Sequence, residues 1–351
     1  MAKKGKGSKI ALFLLLAILG VGTYLGYPYA KIWWEAKQPA LNIKTTEIDF
    51  FVPTGADADT VLNRLEGMLA NPESFSLLAE KMNYSGSNVV PGKYVLNSSM
   101  TNRDLITHLR AGRGRVEVNV TFNNIRLLED LCERMAENIE ATPEDLLALL
   151  TNEELLSKYG FNNRTIISMF LPDTYRMQWN TSAQELIDRM ATEYKKFWNE
   201  DRKTKAKALN MSQSQVVTLA SILYEEQKTR LDEHPKIAGL YINRLRDGWP
   251  LQSDPTVKFA LGDFEKKRIY FADLEVNSPY NTYKNKGLPP GPICMPSKSA
   301  IDAVLNYEKH GYYFMCAQPG GTGYHNFAKT NAQHEVYAKQ YHQWQNKVGV
   351  K

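Results

Sequence analysis

The clearest alternation of hydrophobic and polar residues lies in residues 216–245, VVTLASILYEEQKTRLDEHPKIAGLYINRL. In its first half, valine, leucine and isoleucine recur at steps of three and four residues up to Leu223, which predicts a helix with one face toward a core. The next turn of this apolar stripe ends on Glu226. Glu225, one residue earlier, falls on the polar side of the same helix.

Glu226 is therefore the first candidate for chemistry. A carboxylate at the end of an apolar stripe is partly desolvated, which favours its protonated form and raises its pKa. Glycosidases obtain a proton donor near neutral pH from a glutamate in this way. The alternative is a structural glutamate at a helix end that forms an ion pair with Lys228 or Arg230. The pattern alone leaves both interpretations open.

Residues 46–115 predict a small α+β module. An extended segment, IDFFVP, is followed by an amphipathic stretch from Val61 to Leu69, and then by a strand, PGKYVL, after a Pro-Gly turn. Thr101 predicts the N-cap of a further helix that ends at Gly112.

The chain beyond residue 115 predicts a larger α+β region. Residues 116–122, VEVNVTF, alternate strictly between apolar and polar positions and predict a strand. Helices are expected at residues 127–138, 143–150 and 183–202, ahead of the central helix that begins near Val216.

The N-terminus predicts a membrane anchor. Residues 1–9 hold four lysines and residues 10–30 hold no charged side chain, which is long enough for a bilayer core that needs about 20 residues. A cleaved signal peptide is the alternative, but its apolar part usually spans about 7–15 residues and ends in a recognisable cleavage site. Aromatic residues that follow, among them Trp33 and Trp34, suit the membrane interface. We expect a single-pass helix with its basic tail in the cytoplasm.

Composition and charge exclude other classes of protein. Of the 351 residues 43% are hydrophobic, which is ordinary for a globular protein and argues against disorder. Without the four lysines of the tail the formal charge falls from +5 to +1, so nucleic-acid binding, which needs a basic face, is not expected. The cysteines show no metal-binding spacing. We expect buried free thiols, or one disulfide in an oxidising compartment, from Cys132, Cys294 and Cys316.

Motifs after the central helix resemble those of a known family. In order along the chain they are LQSDPTV (251–257), SPYNTY (278–283), GLPPGPICMP (287–296) and GYHNFAKT (323–330). Together with ASILYEEQ and YINRL, they resemble the endolytic murein transglycosylases of the YceG-like (MltG) family. The match runs from about residue 116 to the C-terminus, and a weaker match reaches back to about residue 46.

The resemblance implies an α+β fold class and a domain organisation. The implied parts are a cytoplasmic basic tail (1–9), a transmembrane anchor (10–30), a small LysM-like α+β subdomain (46–115) and a larger α+β YceG-like catalytic domain (116–351). LysM-like modules are associated with glycan binding, and a spacer that sets the distance from the membrane is the alternative here. The segment FLPDTYRM resembles a family element that we expect to be a turn carrying aromatic side chains to the cleft.

The resemblance also implies a reaction, the cleavage of peptidoglycan within its glycan strands. Glu226 would protonate the oxygen between N-acetylmuramic acid (MurNAc) and N-acetylglucosamine (GlcNAc). The ionised Glu226 would then take the proton of the muramoyl C6 hydroxyl, which closes on C1 to leave a 1,6-anhydro end. No metal or cofactor is implied. The implied setting is the bacterial cytoplasmic (inner) membrane, where the enzyme trims or terminates nascent strands alongside cell-wall synthases.

Substrate-binding residues are expected in the same motifs, because their polar and aromatic side chains suit a sugar and its N-acetyl groups. The LQSDPTV segment is expected to be held by turn chemistry, or merely to cap a strand. His325 is expected to position groups, and the loop 287–296 to border the groove. The expected substrate-binding residues are Gln252, Ser253, Asp254, Thr256, Tyr280, Asn281, Thr282, Tyr283, His325, Asn326 and Phe327.

Two departures from the family pattern leave other functions open. Tyr224 replaces the first glutamate of a Glu-x-Glu motif, and Asn123–Asn124 stands where an acidic residue and a glycine are common. One alternative is a muramidase that hydrolyses the bond with Asp254 as its second carboxylate. The other is a non-catalytic glycan-binding scaffold of the wall-synthesis machinery.

Overall fold

The computed structural model describes residues 6–86, 88–266 and 268–348, and for residues 6–9 it describes the backbone. The helices are α1 (Lys6–Ala36), α2 (Ala58–Leu65), α3 (Pro72–Lys81), α4 (Asn102–Ala111), α5 (Leu128–Ala136), α6 (Pro143–Leu150), α7 (Glu153–Tyr159), α8 (Ala183–Phe197), α9 (Glu200–Ala208), α10 (Gln213–Glu226), α11 (His234–Arg246), α12 (Asp254–Leu261), α13 (Lys298–Leu305) and α14 (Asn331–Val348). The strands are β1 (Glu47–Val52), β2 (Gly92–Asn97), β3 (Glu117–Phe122), β4 (Asp173–Gln178), β5 (Phe314–Ala317) and β6 (His325–Ala328).

These elements form a mixed α and β structure in two compact units. The first unit comprises Met1–Val118 and Arg176–Asn180, and the second comprises Asn119–Tyr175 and Thr181–Lys351. The strands pair in twos, as β1 with β2, β3 with β4 and β5 with β6. The division into domains at residues 115 and 116, and the LysM-like character of residues 46–115, stay predictions.

The first unit begins with one long apolar helix. By length and composition, Ile10–Ala36 is a candidate membrane span, and its large apolar side chains up to Tyr29 are exposed. The helix ends six residues beyond the predicted end at residue 30. These six residues include the first charged side chains after the apolar segment, and they bring the helix into contact with α4. There the side-chain amide of Asn102 donates to the carbonyl of Glu35 at 2.9 Å.

The rest of the first unit is a small α and β module. Strands β1 and β2 are antiparallel, with Glu47 opposite Asn97 and Val52 opposite Gly92. The predicted strand PGKYVL is thereby confirmed, and the predicted extended segment IDFFVP is its partner strand. Thr101 caps α4 as predicted, in a capping box with Asp104. Helix α3 was not expected, although its N-cap asparagine followed by proline is a typical helix start.

In the second unit, the expected turn at FLPDTYRM is wrong, because its C-terminal part is strand β4. Tyr175 on this strand is buried, and its ring stacks on Phe122 of β3 at a centroid distance of 5.3 Å. Its hydroxyl donates to the carbonyl of Leu171 at 2.7 Å. The aromatic side chain therefore belongs to the core and does not line a cleft.

The predicted helix at residues 183–202 is two helices, α8 and α9. The chain leaves helical geometry at Trp198, and the Asn199 side chain then accepts from the amide of Arg202 to begin α9. An asparagine N-cap is a strong helix start. The apolar periodicity ends at the same point, because residues 199–205, NEDRKTK, are all polar.

Helix α10 is the central helix of the second unit and packs against α11, α12 and α13. Ser212 forms a capping box with Gln215 at its start, and all residues from Val216 to Leu223 are buried. The helix ends at Glu226, after which Gln227 is extended. The predicted helix is confirmed, but the two turns from Val216 to Leu223 are buried on all sides and not on one face alone.

The three cysteines are free thiols, and none of them forms a disulfide. Cys132 and Cys294 are buried, as expected, whereas Cys316 is half-buried on β5. Cys294 donates a weak hydrogen bond to the carbonyl of Ser221 in α10, at 3.7 Å. It therefore helps to hold the loop of residues 287–296 against the central helix.

Candidate active site

Glu226, the last residue of α10, is half-buried and is hydrogen-bonded by two hydroxyl groups. The Ser253 hydroxyl donates to Glu226 Oε2 at 3.0 Å, and the buried Tyr241 hydroxyl from α11 is a second donor. Burial raises the pKa of Glu226 above its usual value, and the charge of Asp254 raises it further. The Ser253 hydrogen bond, the nearby His325 and the Tyr241 hydrogen bond act in the opposite direction. Desolvation outweighs them, so the protonated form is favoured.

Neither ion pair considered for Glu226 forms, and Lys228 pairs with Glu225 instead. Arg126 Nη2 lies 3.1 Å from the Glu225 carboxylate, and Lys228 Nζ lies 3.0 Å from it. Arg230 donates to the carbonyl of Thr322. Glu225 was expected on a polar face, but its side chain is only 12% exposed and is held by these cations. The two adjacent glutamates therefore occupy opposite environments, one apolar and hydroxyl-lined, the other ion-paired.

The segment around Ser253 is the start of helix α12 and does not cap a strand. Ser253 occupies the N-cap position, and its amide donates to Thr282 Oγ1 at 3.0 Å. Its carbonyl accepts from Thr256 Oγ1 at 2.6 Å. Gln252 is exposed and has a φ of +50°. This conformation is rare outside glycine and costs free energy, so it persists only where the surrounding structure imposes it. The strained backbone and the threonines hold the Ser253 hydroxyl toward Glu226.

The loop of residues 280–283 supports this segment. Asn281 is fully buried, and its side-chain amide donates to the carbonyls of Leu274 and Val276 at 2.8 and 2.9 Å. These bonds use both donors of Asn281, so the residue shapes the loop and does not offer its amide to a sugar. Thr256 and Thr282 are likewise buried, and their hydroxyls lie 2.8 Å apart.

The two tyrosines of this loop have different partners. The Tyr283 hydroxyl donates to Asp254 Oδ1 at 2.6 Å, and burial raises the pKa of Tyr283, so it remains a donor. Tyr280 is half-buried, and its ring packs on Phe259 of α12 at 4.7 Å between centroids. Tyr283 thus joins the group around Glu226 through Asp254, whereas Tyr280 supports the outer side of α12.

His325 lies at the start of β6 in a network with two residues that the sequence reading missed. Its Nδ1 lies 2.9 Å from Glu233 Oε2, and its amide donates to Glu233 Oε1 at 3.0 Å. The Gln227 side chain donates to the same Glu233 carboxylate at 2.8 Å. Because Gln227 directly follows Glu226, this network fixes the chain where α10 ends.

The remaining two expected residues lie on β6 beyond His325. Asn326 is opposite Cys316 in the β5–β6 register. The Phe327 ring packs against Tyr312 at 5.7 Å between centroids and lies 4.8 Å from the Lys236 ammonium. The structure therefore brings Ser253, Asp254 and His325 to Glu226, places Thr256, Thr282 and Asn281 behind them, and gives Asn326 and Phe327 other neighbours.

Tyr241 and Arg244 of α11 were missed as individual residues, although both lie in the YINRL motif. Arg244 is buried and donates to the carbonyls of Leu251 and Tyr313 at 2.6 and 2.7 Å, and its charge acts on Tyr241. An arginine on an apolar helix face could have been recognised in the sequence as a structural or functional residue, because buried charges are rare unless they are paired. Through its two hydrogen bonds, Arg244 connects the residue before Gln252 to the residue before strand β5.

The two departures from the family pattern have structural explanations. Asn124 has a φ of +46°, a conformation that glycine favours and that asparagine tolerates better than other residues. Tyr224 is half-buried near Cys294, Glu225 and Arg126. Two residues along a helix point to nearly opposite sides, so Tyr224 does not share the environment of Glu226.

A cavity of about 990 Å³ lies at the opposite end of α10. Its lining includes Ser212, Ser214 and Gln215 of that helix and Leu288–Pro290 of the loop expected to border a groove. Glu226 is not part of its lining. Within the described part of the chain, no three His, Cys, Asp or Glu side chains are grouped to hold a metal.

Comparisons with known proteins agree on one family. Among curated relatives, the endolytic murein transglycosylase of Bacillus subtilis (strain 168) is 28% identical over 321 residues, 87% of this chain and 87% of that protein. The endolytic murein transglycosylase of Streptococcus pneumoniae serotype 2 is 26% identical over 362 residues, 94% of this chain and 64% of that protein. The crystal structure of a yceG-like protein from Listeria monocytogenes matches with a TM-score of 0.56 and 26% identity, over 83% of this chain and 98% of that one.

The sequence model of the YceG-like family matches residues 50–340, which is most of the chain and includes every residue around Glu226. This chain therefore belongs to the YceG-like family.

Proposed function

We propose that this protein is a membrane-anchored endolytic lytic transglycosylase of peptidoglycan. It cleaves the MurNAc–GlcNAc bond within glycan strands and leaves 1,6-anhydroMurNAc ends. The observation that carries the proposal is one carboxyl group, Glu226, whose pKa is raised by burial while two hydroxyl groups hold it in place. The relatives named as endolytic murein transglycosylases support the substrate class and the reaction.

Glu226 performs both proton transfers of the reaction. As the acid, it gives its proton to the bridging oxygen, and the bond from that oxygen to C1 of MurNAc breaks, which releases GlcNAc as an alcohol. As the base, its carboxylate takes the proton of the C6 hydroxyl while the C6 oxygen bonds to C1. Glu226 ends protonated as it began, so one positioned group suffices for a complete cycle.

The surroundings of Glu226 suit both of its states. Burial and Asp254 favour the protonated acid before cleavage, whereas Ser253 and Tyr241 donate to the carboxylate once the proton has left. The hydroxyl donors stabilise the carboxylate that forms when the first proton leaves. The raised pKa of Glu226 makes that carboxylate a better base for the second proton.

Asp254 is the residue on which the alternative reaction depends. A hydrolase needs a second carboxylate to activate water or to attack the sugar. Asp254 is close enough to raise the pKa of Glu226, which favours a shared site, but it accepts a hydrogen bond from Tyr283. Tyr283 therefore already occupies one carboxylate oxygen of this aspartate, which a water molecule would otherwise use. We assign it the stabilisation of positive charge on the sugar, and we assign sugar contacts to Gln252, Tyr280, Asn326 and Phe327.

The finer organisation rests on the sequence and the anchor helix. We propose that residues 10–30 cross the cytoplasmic (inner) membrane, with residues 1–9 in the cytoplasm and the catalytic part (116–351) outside. The small module (46–115) is LysM-like and contacts glycan or sets the distance to it. In this position the enzyme meets nascent strands beside cell-wall synthases and terminates them.

Replacing Glu226 separates a proton carrier from a structural residue. Glu226→Gln keeps the size and the hydrogen bond from Ser253 but cannot give or take the proton. We expect turnover of purified glycan strands to fall at least about 100-fold, the lower range for a lost general acid and base, with unchanged circular dichroism. Glu225→Gln removes the ion pairs with Arg126 and Lys228 and should cost much less. A larger loss of activity for Glu225→Gln than for Glu226→Gln would show that Glu226 is not the proton carrier.

Product ends distinguish the transglycosylase from the hydrolase. The C6 hydroxyl is part of the substrate, so its attack is favoured over that of water by proximity. We expect mass spectrometry of muropeptides from purified sacculi to find 1,6-anhydro ends from internal cleavage, and Asp254→Asn to retain measurable activity with the same ends. Reducing MurNAc ends as the main product, together with an inactive Asp254→Asn variant, would establish the hydrolase.

The anchor is tested by extraction of the full-length protein from membranes. An apolar helix is held by burial and not by charge, so high-salt washing should leave the protein in the membrane fraction and detergent should release it. Recovery of a soluble form cleaved near Ala30 would instead identify a signal peptide.

A further inference from the structure

A second cavity, of about 250 Å³, lies on the Glu225 side of the active site. We call it the cationic pocket and define it by Arg126, Glu225, Lys228, Lys258, Phe259 and Phe264, which are among its lining residues. Its walls include the last turn of α10 and the first turns of α12. The same turns carry Glu226 and Ser253, so the cationic pocket and the proton donor are built on one frame.

The charges of the cationic pocket do not balance. Arg126 and Lys228 share the single carboxylate of Glu225. Lys258 is half-buried and forms no ion pair or hydrogen bond with any residue that the structure describes. Three cations and one carboxylate leave two positive charges in a cavity that is also bounded by phenylalanine rings. The Arg126 guanidinium lies 5.2 Å from the Phe264 ring, which helps to hold it in place.

A pocket with this composition suits an anion carried on a partly apolar stem. Hydrogen bonds between a charged donor and a carboxylate are stronger than neutral ones, and an unpartnered half-buried ammonium has most to gain from such a bond. Neutral sugars alone offer no anion. In peptidoglycan the negative charge is carried by the carboxylates of the stem peptide, which is joined to the lactyl group of MurNAc through a neutral amide bond.

The position of the cationic pocket agrees with that source. The lactyl group is a substituent of the same MurNAc whose C1 is attacked, so its peptide must leave the cleft close to Glu226. The cationic pocket begins one residue away, at Glu225, and continues along the helix that Ser253 caps. We propose, on the basis of the function proposed above, that the cationic pocket binds a carboxylate of the stem peptide, with Lys258 as the principal contact.

This contact gives the enzyme a preference for anionic stem peptides. Glu225 then serves to hold Arg126 and Lys228 at a fixed distance, and Lys258 supplies the charge that the substrate completes. The interaction is electrostatic, so no bond of the stem peptide is broken. The contact with Lys258 affects how efficiently glycan strands bind and align for cleavage.

The test compares two synthetic glycan strands of equal length whose stem peptides have either free carboxylates or primary amides in their place. Strands stripped of peptide are unsuitable as the neutral member, because removal of the peptide leaves a lactyl carboxylate. With the full-length protein in detergent, we expect kcat/KM for the free-carboxylate strand to be about tenfold higher, as one charge-assisted hydrogen bond contributes. Lys258→Met should bring this ratio close to one, and Lys258→Arg should retain it.

A matched control is Lys207→Met, which removes an exposed lysine of α9 without a partner in the described chain and should keep the tenfold ratio. Equal cleavage of both strands by the unmodified protein, or an unchanged ratio in Lys258→Met, would overturn the assignment. These results differ from a failure of the proposed function, in which neither strand yields anhydro ends.

Discussion

The burial of the Glu226 carboxyl group at the end of α10 is the constraint on which the rest of the site depends. Eight consecutive buried residues lead the helix to this point, and the negative end of the helix dipole adds to the cost of an ionised group there. The pKa of Glu226 is higher in the folded chain than in the unfolded chain. As the pH rises from the unfolded-state pKa through the folded-state pKa, ionisation of Glu226 therefore lowers the free energy of unfolding. The packed core around α10 must offset this loss of stability.

The surrounding residues limit the extent of that shift. Ser253 is held in the N-cap position by Thr282 and by the strained backbone of Gln252, so its hydroxyl donates to Glu226 without having to be ordered first. The Tyr283 hydroxyl keeps the neighbouring Asp254 occupied. A fixed donor and a restrained neighbouring charge are the means by which a protein sets the pKa of a catalytic group.

Glu225 and Glu226 are adjacent carboxylates with contrasting surroundings. Glu226 faces hydroxyl groups and the core, whereas Glu225 anchors Arg126 and Lys228 on the other side of the helix end. In the reaction that we propose, this one turn of chain carries the proton donor on one side, and on the other side the cations that we propose for the stem peptide.

The periodicity of the sequence was sufficient for the central helix and for the face that Glu226 occupies, because α10 is long and strongly patterned. It was also sufficient for Thr101 and the paired strands β1 and β2, whose start and turn signals are local. It failed where the partner is distant in sequence. The Ser253 contact, the ion pairs of Glu225 and the burial of Tyr175 depend on elements that meet only after folding.

The local signals also misled the prediction in one respect. LQSDPTV contains serine, aspartate and proline, which favour turns, but the same residues begin helices. The choice between the two depends on Thr256 and Thr282, which fix Ser253 from behind. Arg244 was overlooked for a related reason, because its carbonyl partners are contributed by two separate loops.

The most direct test of the account is the pKa of Glu226 itself, measured by NMR titration of ¹³C-labelled glutamate carboxyl groups and assigned by the signal lost in Glu226→Gln. The account requires a pKa above the ordinary value of 4.5 that coincides with the alkaline fall of kcat/KM, since the acid must be protonated. It also requires a lower pKa in Asp254→Asn, which removes a like charge. A Glu226 pKa at or below 4.5 in the unmodified protein would contradict the account.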